Sequence, residues 1–154
     1  MGAPNFELIS ELQLVTRRDF PAADVTLLNP NNANPILEGE WLELDTNYKL
    51  ARGTGNGKPC VYPVHTERGR YDTQSIGKLN VLMLHDYEAE TKIFDPTGLA
   101  VGDRLMVGDV TISGQTKRGL KKATGAATTV EVGIVTKLPT GKVRFQRIPP
   151  FVRT

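Results

Sequence analysis

The chain has 154 residues, one cysteine and a formal net charge of +2. This length is typical of one domain with its own core. A single cysteine excludes an internal disulfide, so the fold must hold by burial or association, which suits a reducing compartment. No run of 18 apolar residues occurs, so we expect no membrane-spanning helix and no membrane partner.

The charge is unevenly distributed along the chain. Residues 114–154 hold nine basic side chains and one acidic one, whereas residues 1–113 hold ten basic and sixteen acidic ones. Opposite charge on two parts of one molecule favours head-to-tail or lattice contacts between copies. A basic part also attracts nucleic acid, and an ordinary solvated surface explains the same pattern equally well.

The first 35 residues predict an extended N-terminal arm. Apolar residues in it fit either a helical stripe or a strand alternation, and we favour the extended form because Val25 to Leu28 continue it without a helix cap. The arm ends in the Asn- and Pro-rich loop 29–35. Its apolar side chains must be buried on the domain itself or on a neighbour. The predicted partner contacts are Phe6, Leu8, Ile9, Leu12 and Leu14.

Short apolar runs separated by turn residues follow from position 36 to the end, which is typical of an all-β fold. The first predicted strands are 41–44 and 48–51, which form a hairpin, and 60–64, which Pro63 places at an edge or a bulge. Strand 79–85 is predicted to be buried on both faces, and strand 90–94 follows it. Strands 104–107 and 110–112 flank a Gly108-Asp109 turn, and 129–137 with 142–148 form a closing hairpin. We therefore expect a small β barrel or sandwich over residues 36–154.

The closing hairpin gives the clearest alternation. Val143, Phe145 and Arg147 share one face, while Lys142, Arg144 and Gln146 share the other. Gly133 in the middle of the preceding strand indicates a bulge or a close backbone approach.

The sequence motifs for phosphate binding and for zinc binding are incomplete. The glycine-rich loop 53–59 is not a phosphate loop, because Arg52 stands where a glycine is needed and Pro59 where a Ser or Thr would bind Mg²⁺. Cys60, His65 and His85 lack the spacing of a zinc site. We predict no catalytic residues, no cofactor and no metal.

Two pairs of carboxylates share strand faces. Glu38 with Glu40, and Glu88 with Glu90, alternate as acid–base pairs would, but also as a solvated strand face would. We favour the solvated face for both pairs.

A basic run lies between glycines in the C-terminal part. Lys117, Arg118, Lys121 and Lys122 predict an exposed loop or hairpin tip that contacts a partner. Such a run could bind phosphates. It lacks the interleaved aromatic residues on which bases stack, so we do not expect nucleic acid to be the partner.

The segment Asp95-Pro96-Thr97-Gly98-Leu99-Ala100-Val101-Gly102-Asp103-Arg104-Leu105-Met106-Val107, followed by Val132-Gly133-Ile134-Val135 and Gly141-Lys142-Val143-Arg144-Phe145, resembles the C-terminal half of phage capsid decoration (cement) proteins over residues 95–148. The resemblance implies a small β barrel on the outside of a virion capsid, made in the host cytoplasm. It implies the major capsid protein and copies of the chain itself as partners, and no small-molecule substrate. A tail-tube or head–tail connector protein, and a nucleic-acid-binding barrel that uses Lys117–Lys122, are the alternatives.

Overall fold

The computed structural model describes residues 5–10, 17–53, 61–65, 77–83, 86–127 and 129–152. Within these residues, eleven strands follow one another, with a 3-10 turn at Val25–Leu28. The strands are β1 (Phe6–Leu8), β2 (Arg17–Pro21), β3 (Trp41–Leu44), β4 (Leu50–Ala51), β5 (Val61–Pro63), β6 (Lys78–Leu82), β7 (Glu88–Thr91), β8 (Arg104–Ile112), β9 (Gln115–Lys122), β10 (Val130–Lys137) and β11 (Val143–Val152). The prediction of an all-β fold is confirmed.

The larger sheet has six antiparallel strands in the order β1-β7-β11-β10-β8-β9. An isolated parallel bridge joins Phe94, just after β7, to Leu120 in β9 at the far edge of the sheet. This bridge requires the sheet to curve around its core. The contact is a single bridge, so the curved sheet is not closed by a continuous ladder.

Two smaller sheets, β4-β3-β5 and β2-β6, contribute Trp41, Val61 and Leu82 to the hydrophobic cluster of the larger sheet. A bridge between Val64 and Val81 links them. Strand β3 separates two hydrophobic clusters: Trp41 belongs to the cluster of the larger sheet, whereas Leu42 belongs to the second cluster with Phe20 and Leu50. Because side chains alternate along a strand, one short strand serves both clusters.

The closing hairpin β10–β11 is confirmed, and so is its alternation. Val143, Phe145 and Arg147 are buried, with Arg147 only 1% exposed. The Arg147 guanidinium lies 4.9 Å from the centre of the Trp41 ring and donates to the Val132 and Val61 carbonyls at 3.2 and 3.1 Å. This side chain therefore connects the larger sheet to β5.

Most other sequence-predicted strands are also confirmed. The β3–β4 hairpin forms, β5 is an edge strand, and β6 is buried on both faces except at Lys78. The predicted bulge at Gly133 appears as a register shift between Glu131 and Gly133. No helix within the described ranges is long and apolar enough to cross a bilayer.

The predicted turn at Gly108-Asp109 is wrong, because β8 runs unbroken through both residues. Gly108 pairs with Gly119, and Asp109 pairs with Arg118, whose guanidinium donates to the Asp109 carboxylate at 2.8 Å. The actual turn is Ser113-Gly114, where both residues have positive φ, 50° and 79°. That combination matches the type I′ hairpin, whose twist suits the flanking strands.

The N-terminal part packs on the rest of the chain wherever it is described. Strand β1 pairs with β7, β2 pairs with β6, and Phe6 and Phe20 are each 3% exposed. The expectation that Val25 to Leu28 continue an extended arm is wrong. They form a 3-10 turn capped by Asp24, whose carboxylate accepts from the Thr26 backbone N–H at 3.0 Å.

Candidate protein-interaction surface

The basic run Lys117–Lys122 is not an exposed loop or hairpin tip. It lies in strand β9, with Lys117 fully buried and Arg118 3% exposed, while Lys121 is half-buried and Lys122 exposed. Two of its four cations are therefore unavailable to a partner. Burial of this kind requires polar partners inside the protein.

A buried carboxylate, Glu40, organises this region. It accepts from the guanidinium of Arg52 at 2.9 Å on each oxygen, and from the backbone N–H groups of Leu37 at 2.8 Å and Arg118 at 3.2 Å. The predicted solvated face at Glu38 and Glu40 is wrong for Glu40, which is fully buried. Its charge is balanced by Arg52 and enclosed by four donors.

The same cluster fixes the Asn/Pro-rich loop to the sheet edge. Lys117 Nζ donates to the Pro35 carbonyl, and Arg52 donates to the Asn34 carbonyl at 2.9 Å. Asn34 Nδ2 in turn donates to the Thr116 carbonyl at 3.0 Å. Because β9 ends the six-stranded sheet, the loop shields part of an edge that could otherwise pair with another chain.

The predicted contacts of the N-terminal segment differ in exposure. Phe6 is buried in the chain's own core, Leu8 is half-buried against that core, and Ile9 is 37% exposed. Leu12 and Leu14 lie outside the described residues. Of the three described side chains, Ile9 presents the most apolar surface to a partner.

Two turns at one end of the larger sheet enclose an apolar cleft of about 410 Å³. One turn follows β7 and the other joins β10 to β11. The cleft is lined by Phe94, Pro96, Leu99, Leu138, Pro139, Gly141 and Lys142. Leu138, one of the lining residues, is 40% exposed, and Val101, two positions after the lining residue Leu99, is 64% exposed.

Hydrogen bonds hold the first turn in place. The Asp95 carboxylate accepts from the Thr97 N–H at 3.0 Å, and this bonding lowers the pKa of Asp95. The Asp103 carboxylate accepts from the Ala100 N–H at 2.9 Å. The Gly102 N–H donates to the Val135 carbonyl at 2.8 Å, and the Val135 N–H donates to the Asp103 carbonyl at 2.9 Å. The loop is thereby fastened to β10.

The second turn is shorter and borders a cationic rim. Lys142 N donates to the Pro139 carbonyl at 3.2 Å, and Gly141 has φ +73°. Lys142 Nζ lies 3.9 Å from a Glu90 oxygen, and Lys137 is exposed nearby. An apolar cleft whose turns are held by hydrogen bonds, with Lys142 at its rim, is suited to a protein segment, because a preformed site loses little entropy when it binds.

The other candidate acid–base residues, Glu88 and Glu90, make hydrogen bonds or ion pairs within the protein. Glu90 is 7% exposed and is paired with Arg144 at 2.9 Å, so the predicted solvated face is also wrong for Glu90. Glu88 accepts from the Thr136 hydroxyl at 2.9 Å. His65 is half-buried, and burial lowers its pKa. Within the described ranges, no three His, Cys, Asp or Glu side chains meet in a way that could hold a metal ion.

Sequence reasoning missed the buried Glu40–Arg52 pair and the cleft. Glu40 precedes the apolar Trp41-Leu42 pair, which signals a strand entering the core, but its partner lies 12 positions away beyond a hairpin. The cleft is built by turns about 40 positions apart in the chain, although its first turn is the Asp95–Asp103 segment on which the family resemblance rests.

The chain was compared with protein-family models, curated proteins and solved structures, and none of the three comparisons gave a match.

Proposed function

We propose that this chain is a structural virion protein, a decoration protein that binds the outside of a phage head and stabilises the shell. The observation that carries the proposal is the preformed apolar cleft with exposed Val101 and Leu138. It lies in the segment that resembles decoration proteins. The partners are the major capsid protein and sister copies, bound many times over on one particle, so modest contacts add up to firm attachment.

The shell contact is expected on the N-terminal segment, where Ile9 is exposed next to β1. Burial of one such side chain supplies roughly 1.5–3 kcal/mol, whereas an exposed ion pair supplies about 0–1 kcal/mol. Attachment should therefore persist at high salt.

The test is co-sedimentation of the purified protein with phage heads that lack it. We expect saturable binding at a fixed number of copies per head that survives about 1 M salt. Ile9→Asp should bind at least tenfold more weakly, because it places a charge in an apolar contact. The matched control is Val25→Asp, which changes an apolar side chain 51% exposed in the 3-10 turn rather than beside β1. Heads that bind no wild-type protein would reject the proposal.

The nucleic-acid alternative loses its main support, because Lys117 and Arg118 are buried. Fluorescence anisotropy with duplex and single-stranded DNA at about 0.15 M salt tests it directly. We expect weak binding without sequence preference. Tight binding that tolerates added salt would favour a nucleic-acid protein over a decoration protein.

A further inference from the structure

The tip of the β3–β4 hairpin presents an exposed aromatic ring. Tyr48 has φ +59° and is 69% exposed. The turn is held by Asp45, whose Oδ1 accepts from the N–H groups of Asn47 and Lys49 at 2.8 and 2.9 Å. A bulky residue at positive φ is strained, and asparagine or glycine is the usual occupant. The ring contributes little to the core, so the fold itself does not account for this strained tyrosine.

The tip and the apolar cleft lie at opposite ends of β3. Just before β3, a Cβ on Gly39 would lie 3.3 Å from Ile93, the neighbour of cleft residue Phe94. Trp41 then packs on Phe145, with ring centres 5.9 Å apart, further along β11 from the cleft turn. The hairpin tip comes after another three residues in this direction. One chain cannot place its own Tyr48 in its own cleft.

We propose that the cleft binds Tyr48 of a second copy, in a head-to-tail contact. An apolar cleft of about 410 Å³ can take an aromatic side chain, and tyrosine is among the residues that dominate protein interfaces. The proposal deepens the proposed function, since it names the contact between sister copies, and it leaves the shell to the N-terminal segment.

Charge supports a second copy as the occupant. The tip carries exposed Asp45 and Lys49, and exposed Asp24 lies next to its base because the Ala23 N–H donates to the Leu50 carbonyl at 2.8 Å, so these three residues together are negative. Of the two cleft turns, the second belongs to the basic part, with Lys142 lining the cleft and Lys137 exposed just before Leu138. Docking the tip on the cleft brings the acidic part of one copy to the basic part of the next.

The proposed contact uses two different patches. Each copy offers its tip to one neighbour and this cleft to another, so the contact repeats from copy to copy into a ring or an open chain.

The test is sedimentation equilibrium of the full chain at concentrations up to about 1 mM. Wild type should self-associate. Tyr48→Asn should lower the association constant at least tenfold without loss of thermal stability, because asparagine tolerates positive φ. Leu138→Asp should lower it as much, because it puts a charge into the cleft. Phe151→Thr, which removes an aromatic ring 54% exposed on β11, should associate like wild type.

An equal mixture of the two variants gives the sharpest result. Tyr48→Asn keeps an intact cleft and Leu138→Asp keeps an intact tip, so one copy of each variant should pair. The remaining tip and cleft of that dimer are the altered ones, so nothing larger than a dimer should form. A monomeric wild type, unchanged association of Tyr48→Asn, loss of association in Phe151→Thr, or a mixture without dimers would each overturn the head-to-tail contact. Head binding by a wild type that stays monomeric in solution overturns this contact and leaves the proposed function standing.

Discussion

At the scale of single residues, buried charge is the feature that most constrains this protein. Glu40 is fully buried and its carboxylate meets only donors, two from Arg52 and two from the backbone. An arginine left without its carboxylate in such a site is poorly compensated. The cluster therefore tolerates little substitution.

Glu40→Gln is expected to lower the free energy of unfolding by about 3 kcal/mol, because a neutral amide replaces the charge and points a donor at other donors. Urea denaturation measures the change. The control is Glu7→Gln, at an exposed glutamate of β1, which should stay within about 0.5 kcal/mol of wild type. Equal stability of the two variants would mean that Glu40 is dispensable.

His65 should make stability sensitive to mild acid. Burial first, and then the positive charge of Arg17, lower its pKa below the usual 6.5. The folded state then binds the proton more weakly than the unfolded state. Its contribution is complete above about pH 6.5 and is lost as the pH falls below that value.

We expect urea stability to fall more for wild type than for His65→Phe between pH 7.5 and 5.5. The difference should be less than about 1 kcal/mol, because the ring is only partly buried. Phenylalanine keeps an edge contact with Phe6, whose ring centre lies 5.9 Å away. Parallel curves for the two proteins would contradict this assignment.

At the scale of elements, the sequence predicts strands well where one face is buried and the other is exposed. In β11 the alternation of Val143, Phe145 and Arg147 could be identified because burial follows the pleat directly. The Gly108-Asp109 turn could not be excluded from sequence, since Asp109 stays in the strand by pairing with Arg118. Likewise, Lys117 and Arg118 of β9 are buried beside Glu40, which accepts from the Arg118 N–H although it lies 78 positions away in the sequence. Local patterns carry no information about such partners.

The β8–β9 hairpin offers a simple gain in stability. Ser113 has φ +50° before Gly114 at +79°, and Asn-Gly is the favoured pair for this turn. Ser113→Asn should stabilise by about 0.5–1 kcal/mol and raise Tm by roughly 1–4 °C in thermal unfolding. Ser113→Pro should do the opposite, because proline cannot reach positive φ. A lower Tm for the asparagine variant would contradict the turn assignment.

At the scale of the whole molecule, the predicted division at residue 35 stays a prediction, but the contacts favour one unit. Removal of residues 1–35 would take Phe6 from one hydrophobic cluster and Phe20 from the other. Loss of a buried phenylalanine costs about 3–5 kcal/mol, and a whole domain is stable by only about 5–15 kcal/mol. A chain of residues 36–154 is therefore expected not to unfold cooperatively in urea.

Point variants check the same expectation without truncation. Phe6→Ala and Phe20→Ala should each lose about 3–5 kcal/mol, whereas Ile9→Ala, at an exposed site of the same segment, should lose under about 0.5 kcal/mol. If residues 36–154 fold with a sharp transition, the N-terminal segment is an appendage, as the sequence suggests. Attachment to heads could then be tested by deleting it.

Strand β3 has four residues, yet its two sides face different clusters, Trp41 towards one and Leu42 towards the other. If one cluster loses its packing, β3 is also displaced from the other cluster. Heat should therefore unfold both clusters in one calorimetric transition whose van't Hoff and calorimetric enthalpies agree. In native-state hydrogen exchange, the amides of Leu42 and Glu43 should open only with the entire molecule. In a particle coat made of such a protein, neither cluster of a copy would unfold before the other. Each copy would be either fully folded or fully unfolded.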